Sequence, residues 1–299
     1  MRKVLFAAGL ALVPAIAYAE IPEWAAPETT KSIPADQLKF ITDADTAARN
    51  KVYPTVPDSV PEIIRKGKVN KITGPGVCMG CHTPSGMGGP QSAPLAGLPA
   101  AYIVRQLNDM VKGDRKTYRD DMAMFAMILA PDEMQNIANW YSSQHFTPWI
   151  EVKEADTAPK TVVGGRDLVG FAPGGGEEPL GKRIVEVAKN GAAPYMPPGP
   201  AFTAYVPKGS IAMGEQLVTT GGGGKTIQCT GCHNANLMGK GDTPAIVGRS
   251  PTYIARELYE FKDGSRGGMS ATAMKRVAAN LSDDDIIAIS AYLASRPPA

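Results

Sequence analysis

The chain has 299 residues, 43% of them hydrophobic, a length typical of about two domains. Its 31 basic and 29 acidic residues form no basic stripe and no block of like charge, so nucleic acid is not expected as a partner. All four cysteines lie in two short motifs, which leaves none for disulfide bonds if each motif carries a covalent group.

The first residues predict a secretory signal peptide. Arg2 and Lys3 precede an apolar run over 4–17, and the sequence AYA that ends at Ala19 is an A-x-A cleavage site. We therefore assign 1–19 as a cleaved signal and expect a soluble protein exported to the periplasm, with an uncleaved N-terminal anchor as the alternative. Cleavage removes two basic residues and leaves 29 basic against 29 acidic side chains.

Residues 20–58 are rich in Pro, Thr and Asp and show no sustained hydrophobic period. We interpret them as an N-terminal extension that wraps the following domain. One helical turn is predicted over 42–50, where Thr42 or Asp43 would cap the first turn.

A first helical domain is predicted over 59–146. It contains the run VCMGCH over 77–82, followed by a Gly- and Pro-rich stretch that is incompatible with regular structure. Hydrophobic residues then recur at helical spacing, and Pro131 stands in the first turn of the last helix. The predicted helices cover 60–68, 100–111, 122–129 and 131–142.

Residues 147–208 are dense in Gly and Pro and predict a linker with local structure that packs against its neighbours. It holds one short helix or strand candidate over 183–189. A second domain is predicted over 209–299, with its own motif QCTGCH over 228–233. Its predicted helices cover 210–218, 252–262 and 282–295, the last with Ser282 as N-cap.

Each Cys-x-x-Cys-His run indicates covalent attachment of a c-type haem. Two thiols on one helical turn reach the two vinyl groups of one porphyrin, and the next histidine ligates the iron. A redox dithiol does not require the trailing histidine, and a zinc site would need both cysteine pairs in one small module. We therefore predict two covalent haem c groups and no metal beyond their iron. The predicted attachment and proximal residues are Cys78, Cys81, His82, Cys229, Cys232 and His233.

The two domains are copies of one unit. At an offset of 151 residues the motifs coincide, and Tyr102 meets Tyr253 and Arg115 meets Arg266. After a shift of one residue, matches continue to the last helix. Identities along about 70 residues indicate an internal repeat. The predicted fold is therefore all-α, with two tandem haem domains of a few helices each.

The repeat also selects the sixth iron ligands. Methionine sulfur completes many haems with a proximal histidine, although a single methionine is more often core filler. Met122 and Met274 align with each other, about 40 residues after their histidines, and we predict that they ligate. Met124 and Met269 are the alternatives. His145 is the one histidine outside the motifs, so two bis-histidine irons are impossible in one chain.

Each domain has only about 90 residues and needs the porphyrin to complete its interior. Four aromatic residues are predicted to flank that buried plane: Tyr102, Trp140, Tyr253 and Tyr292. Four arginines are candidates for contact with haem propionates, with a solvated surface position as the favoured interpretation for each: Arg105, Arg115, Arg256 and Arg266.

The order of elements resembles class I cytochrome c: the haem motif, a Pro-Gly loop at 94–97 or 244–248, a Tyr-x-x-x-x-Leu helix, a Gly-x-Arg turn, a methionine and a closing helix. Two such domains behind a signal peptide resemble the dihaem cytochrome c4 family. The resemblance covers about 60–145 and 209–297. It implies a periplasmic carrier with His/Met haems that takes electrons from a quinol-oxidising complex or a periplasmic dehydrogenase and passes them to a terminal oxidase. The extension and the linker depart from the family.

The expected function is one-electron transfer without catalysis, because two six-coordinate irons leave no site for substrate. A cytochrome subunit of an exported dehydrogenase complex is the first alternative, with the extension and linker as docking surface. A dihaem peroxidase or a thiosulfate-oxidising cytochrome is the second alternative, and it requires an iron with a labile ligand.

Overall fold

The computed structural model describes residues 59–65, 68–70, 74–76, 78–90, 92–117, 121–163, 169–189 and 202–298. The predicted signal peptide and the helical turn over 42–50 lie outside these residues. Within the described ranges, no helix is long and apolar enough to cross a membrane.

The first unit, 59–146, is built from short helices with one small hairpin. Lys68 lies in the hairpin and pairs with Gly76, so the predicted helix over 60–68 is shorter than expected. The elements are α1 (Glu62–Arg65), β1 (Lys68–Asn70), β2 (Gly74–Gly76), α2 (Cys78–His82), α3 (Ala100–Val111), α4 (Asp121–Met127) and α5 (Pro131–Ser143).

Helix α3 carries the core of the first unit. Ile103, Leu107 and Met110 recur at helical spacing and are buried, which is why the predicted helix over 100–111 agrees with the structure. They pack with Ile137 and Tyr141 of α5 in one apolar cluster. The cluster holds α3 against α4 and α5.

The second unit, 209–298, repeats this plan with a larger core. No helix was predicted between 262 and 282, but this stretch forms a 3-10 turn and a helix, because Ala271 and Ala278 pack into the core of the unit. The elements are α6 (Ser210–Thr220), α7 (Thr230–His233), α8 (Pro251–Asp263), the 3-10 turn Met269–Ala271, α9 (Thr272–Ala278) and α10 (Asp283–Ser295).

Helix α10 lies at the centre of the second unit and is buried over most of its length. Ser282 is its N-cap, as predicted, and accepts a hydrogen bond from the amide of Asp285. Helix α6 approaches α10 closely at Gly214, where a Cβ atom would lie 2.0 Å from the carbonyl oxygen of Ala288. Any larger residue at 214 would therefore push the two helices apart.

The same backbone turns recur 151 residues apart. The residue after each motif histidine is left-handed, at φ 64° for Thr83 and 70° for Asn234. Gly97 and Gly248 repeat the match, at φ 69° and 71°. The sequence repeat is thus also a repeat of local geometry.

The all-α prediction is wrong for residues 147–208, because the described part of this segment contains seven strands. Six of these strands contain Val or Thr in runs that are too short for a helical period and suit pleated structure, and the seventh, Glu177–Pro179, pairs with one of them. They are β3 (Ile150–Ala155), β4 (Thr157–Pro159), β5 (Thr161–Val163), β6 (Val169–Phe171), β7 (Glu177–Pro179), β8 (Val185–Ala188) and β9 (Phe202–Pro207).

The three-stranded sheet has the order β3-β9-β8. Strand β3 pairs in parallel with β9, so that Ile150 lies opposite Phe202, and β8 pairs antiparallel with β9. Strand β8 falls within the 183–189 candidate. The remaining strands form two separate two-stranded ribbons, β4 with β7 and β5 with β6.

This strand segment packs against both units. Trp149 and Phe202 meet edge to face at 5.3 Å and share a buried cluster with Met87 and Phe146 of the first unit. On the other side, the carboxylate of Glu154 accepts from the amide of Ile211 at 2.9 Å, and Lys182 pairs with Asp284 at 2.8 Å. The segment is therefore a bridge between the units.

The two units also contact each other directly. Arg115 and Arg266, which are equivalent in the repeat, form an antiparallel bridge. The amide of Lys116 donates to Ser265 O at 2.9 Å, and the amide of Gly267 donates to Asp114 O at 2.6 Å. The two Gly-x-Arg turns thus pair across a local pseudo-twofold axis.

Replacing Phe202 with Ala tests the bridging role of the strand segment. Phe202 is only 2% exposed, and truncating a buried phenylalanine removes about 3 to 5 kcal/mol of stability. We expect a loss of that size in the free energy of unfolding measured by chemical denaturation. Phe171→Ala, at a side chain that is 44% exposed, is the matched control and should cost less than about 0.5 kcal/mol. Equal losses would mean that the segment does not hold the units together.

Candidate functional site

The two Cys-x-x-Cys-His motifs place their side chains in the same way. In α2 the thiol of Cys78 is half-buried, Cys81 is exposed and His82 is buried at 8% exposure. In the second motif Cys229 is half-buried, Cys232 is exposed and His233 is buried at 6% exposure. A single helical turn therefore directs each histidine inward and leaves one thiol of each pair at the surface.

A hydrogen bond to the backbone orients each buried histidine. Nδ1 of His82 lies 2.8 Å from Ala93 O, and Nδ1 of His233 lies 2.7 Å from Pro244 O. A carbonyl oxygen only accepts, so Nδ1 carries the proton and Nε2 keeps its lone pair. The pKa of each histidine is lowered by burial. The neutral imidazole that results has the form that ligates a metal.

The predicted methionines reach the same apolar clusters as the motifs. Met122 and Cys78 pack against the core of the first unit, and Met274 and Cys229 pack against the core of the second. The alternative Met269 is 94% exposed. In the described ranges, no group of three or more His, Cys, Asp or Glu could hold a separate metal ion.

Burial also affects the half-buried thiols. It raises the pKa of Cys78 and of Cys229 to about 11. Both thiols are therefore protonated at neutral pH, which does not suit the reactive thiolate of a redox dithiol.

Aromatic residues of α5 hold the turn that follows His82. Trp140 Nε1 donates to Pro84 O at 2.9 Å, and Tyr141 OH donates to Thr83 O at 3.3 Å. The ring centroids of Tyr141 and His82 are 6.4 Å apart. Tyr292, the repeat equivalent of Trp140, is buried in the core of the second unit.

Four side chains close a ring of hydrogen bonds where the units meet, which we call the interface ring: Gln106, Arg115, Glu257 and Arg266. Gln106 Oε1 accepts from Arg115 at 2.9 Å and from Arg266 at 2.7 Å. Glu257 accepts from Arg115 at 2.7 Å through Oε1 and from Arg266 through Oε2. Two guanidinium groups thus share one carboxylate.

The predicted tyrosines complete the interface ring. Arg266 donates to Tyr102 OH at 2.7 Å, and Tyr253 hydrogen-bonds Arg115 from the other unit. Burial acts to raise the pKa of Tyr102, but the charges of Arg266 and Arg115 outweigh it and lower that pKa. The pKa of Tyr253 is raised instead, because burial and the neighbouring Tyr102 outweigh the charges of the arginines.

The prediction of a solvated surface position is wrong for Arg115 and Arg266, which are each 6% exposed. The reason is the pairing of the two Gly-x-Arg turns, which the repeat alone does not reveal. Arg105 pairs with Asp242 at 3.5 Å near the surface, and Arg256 donates to Pro90 O at 3.3 Å. Around the ring, Nε of Arg105, of Arg115 and of Arg249 is buried without a hydrogen-bond partner among the described residues, and so is one acceptor, Oε2 of Glu260. Positive charge with unused donors fits a bound anion.

Known proteins resemble this chain in sequence. The family model for cytochrome c matches residues 211–297. Cytochrome c-554(548) of Halomonas halodenitrificans is 34% identical over 89 residues, which are 29% of this chain and 98% of that protein. The chain belongs to the cytochrome c family. It is accordingly an electron-transfer protein of the covalent haem c type.

Longer matches place this cytochrome near cytochrome c4. Cytochrome c4 of Azotobacter vinelandii is 26% identical over 223 residues, covering 73% of this chain and 83% of the relative. The thiosulfate dehydrogenase electron acceptor of Thiomonas intermedia is 29% identical over 224 residues, covering 74% and 78%. The protein is therefore cytochrome c4-like.

One solved structure supports the fold. The thiosulfate dehydrogenase TsdBA of Marichromatium purpuratum matches with a TM-score of 0.52 at 23% identity over 79% of this chain. This chain spans only 39% of the length of that protein. At 23% identity, the similarity shows a shared fold and nothing about activity.

A third buried arginine, Arg249, joins the units of this cytochrome and was missed in the sequence. Arg249 stacks on the ring of Phe146 at 3.7 Å and donates to Pro94 O and Ala96 O of the first unit, at 3.4 and 3.2 Å. Burial lowers its pKa to about 10, so it stays charged at neutral pH. It lines a cleft of about 380 Å³ between the units that also includes His145. The sequence signal was present, because Arg249 directly follows the repeated Gly248.

Glu186 is the other residue that the sequence did not single out. It lies on β8 and is 3% exposed, and its Oε2 accepts from Ser250 Oγ at 2.7 Å and from the amide of Thr252 at 3.3 Å. It therefore caps the N-terminus of α8 from outside the helix. Burial raises its pKa to about 7, although these hydrogen bonds and the charge of Arg256 oppose the change.

The raised pKa of Glu186 predicts a pH-dependent stability. Between its ordinary pKa of 4.5 and about 7, the folded protein binds more protons than the unfolded chain, so stability falls as the pH rises through this window. The fall amounts to about 3 kcal/mol, because one pH unit between two pKa values corresponds to about 1.4 kcal/mol.

Glu186→Gln should remove this part of the slope in denaturation curves recorded between pH 4.5 and 7.5. Glu177→Gln, at an exposed carboxylate of the same segment, is the control and should keep the slope. A Glu186→Gln curve parallel to that of the unmodified protein would contradict the assignment.

Proposed function

We propose that this protein is an exported dihaem c-type cytochrome that carries single electrons. One haem is attached through Cys78 and Cys81 with His82 as proximal ligand, and the other through Cys229 and Cys232 with His233. The observation that carries the proposal is the paired geometry of the two motifs. Each buried histidine is fixed by a carbonyl 2.7 or 2.8 Å from Nδ1, with Nε2 left for iron.

Met122 and Met274 are proposed as the sixth ligands. Both pack against the cluster that receives the first cysteine of their own motif. They also occupy matching places near the start of α4 and of α9. Met269 is unsuited to a buried iron at 94% exposure.

The buried arginines suit the carboxylates of haem. Each porphyrin carries two propionates, and the interface ring has one more guanidinium than it has carboxylates. The unpartnered Nε of Arg115 and of Arg105 supply further donors. Arginine binds carboxylates through charge-assisted hydrogen bonds, so we propose that these residues hold propionates at the contact between the units.

The bound haem supplies a metal centre that gains and loses one electron. The chain orients the ligands, excludes water from them and neutralises propionate charge. His82 and His233 keep one tautomer throughout, because their backbone partners do not titrate. With a histidine and a methionine bound to each iron, no ligand site would remain for a substrate, so we propose a carrier and not an enzyme.

The remaining assignments are also part of this proposal. The signal peptide 1–19 directs export to the periplasm, the extension is 20–58, and the haem domains are 59–146 and 209–299 with the bridging segment 147–208 between them. The electron donor is a quinol-oxidising complex or a periplasmic dehydrogenase. The acceptor is a terminal oxidase or another redox protein.

A second candidate is a dedicated electron acceptor of an exported dehydrogenase. Two observations favour it: the relative from Thiomonas intermedia is named a thiosulfate dehydrogenase electron acceptor, and the strand segment adds a surface outside the haem domains. Recovery of a stoichiometric dehydrogenase with the tagged full-length protein would favour this candidate over a freely diffusing carrier.

Met274→Ala tests the ligand assignment. Methionine bound to ferric haem gives a weak far-red charge-transfer band, and loss of one of two such ligands should remove about half of its intensity. One of the two reduction potentials should fall as well, because methionine raises the potential. The absorption spectrum of the oxidised protein is the measurement.

Met269→Ala is the matched control, because it removes an exposed methionine from the turn just before α9. Its spectrum should be unchanged. A full band in the Met274→Ala protein, or a halved band in the Met269→Ala protein, would show that the ligand was assigned wrongly.

A further inference from the structure

The interface ring is symmetric in shape but not in charge. The repeat offset of 151 relates Arg115 to Arg266 and Gln106 to Glu257. Gln106 and Glu257 each accept hydrogen bonds from both arginines. One unit therefore contributes a neutral amide where the other contributes a carboxylate.

The other groups near the ring keep their charge in both copies. Arg105 is equivalent to Arg256, and Asp109 is equivalent to Glu260, at the same offset. Among the exposed positions, charge differs at Asp114, which corresponds to Ser265, and at Lys112, which corresponds to Asp263. Water and salt screen an exposed charge far more than a buried one. Two buried charges distinguish the units at this contact: Glu257, at 8% exposure, and Arg249, at 4% exposure, which corresponds to Leu98. Of these two, Glu257 is the one that lies within the interface ring.

A buried carboxylate affects a nearby redox centre through its field. Negative charge stabilises the ferric state over the ferrous state, which carries one positive charge fewer, so it lowers the reduction potential. The effect is large where the local dielectric constant is low. The pseudo-twofold axis passes through the ring, because it relates Arg115 to Arg266 and Gln106 to Glu257. The charge of Glu257 lies to one side of this axis and therefore acts unequally on the two halves of the molecule.

We propose that Glu257 sets part of the difference between the reduction potentials of the two haems, and thereby the order in which they are reduced. Glu257 is a positioning and tuning residue, because it acts through the arginines and touches no reacting atom. This inference rests on the proposed function, since it needs a haem in each unit. It goes beyond that function by assigning the inequality of the two haems to one side chain.

The pseudo-symmetry gives a specific test with three variants. Gln106→Glu places a carboxylate on both sides, Glu257→Gln places one on neither, and the double variant moves the single carboxylate to the other unit. The two single variants are balanced and share the same separation between midpoint potentials. In the unmodified protein and in the double variant only one unit carries the carboxylate, and it is a different unit in each. The separation between midpoint potentials should therefore be larger than that of the single variants in one of these two proteins and smaller in the other, by about equal amounts.

The measurement is a spectroelectrochemical titration of each holoprotein, with dithionite as reductant and ferricyanide as oxidant. We expect both potentials to fall in Gln106→Glu, because negative charge is added, and both to rise in Glu257→Gln. Gln106→Glu gives each guanidinium its own carboxylate and should retain the fold, so the comparison stands even if Glu257→Gln unfolds. Asp114→Ser is the control for an exposed charge and should leave the separation unchanged.

The outcomes separate this inference from the proposed function. A haem assay that gives two haems per chain, with an unchanged separation in Gln106→Glu and in the double variant, overturns the role of Glu257 and leaves the carrier proposal intact. A single haem per chain overturns both. A separation that moves as strongly in Asp114→Ser as in Gln106→Glu also overturns the role of the buried carboxylate.

Discussion

The hydrogen bond from Nδ1 of each motif histidine to a carbonyl eleven residues later organises both units. Without it, a buried imidazole would be free to rotate or to change tautomer, and the inward nitrogen would not have a fixed lone pair. The bond requires the chain to fold back beneath the histidine within a short loop. The left-handed residues Thr83 and Asn234 start that return, and the Pro- and Gly-rich sequence of the loop permits it.

The contact between the units is the second constraint, and it places charged side chains in the interior, where proteins normally exclude them. Two buried arginines share one carboxylate in the interface ring. Arg249 is buried at a second position, where its hydrogen-bond acceptors among the described residues are backbone carbonyl oxygens. Removing either partner of such a pair is costly because a bare charge remains. The strands of 147–208 close over the same junction, so the relative placement of the units does not depend on a flexible connection.

Local features were predictable from the sequence, and features that depend on contact between distant residues were not. The helix over 100–111 and the cap at Ser282 follow from period and capping chemistry within one element. The strands of 147–208 were missed because each is short and gains its stability from partners far away, as when β3 pairs with β9 some 50 residues later. The burial of Arg115 and Arg266 was missed for the same reason. The repeat showed that these residues are equivalent, but not that the two copies meet.

We propose two haem irons, each held by a histidine and a methionine. Electron paramagnetic resonance of the oxidised holoprotein, with spins counted against protein concentration, tests this most directly. We expect low-spin ferric signals that add up to two per chain, without a high-spin component. A high-spin signal from a five-coordinate iron, or a total of one spin per chain, would contradict it.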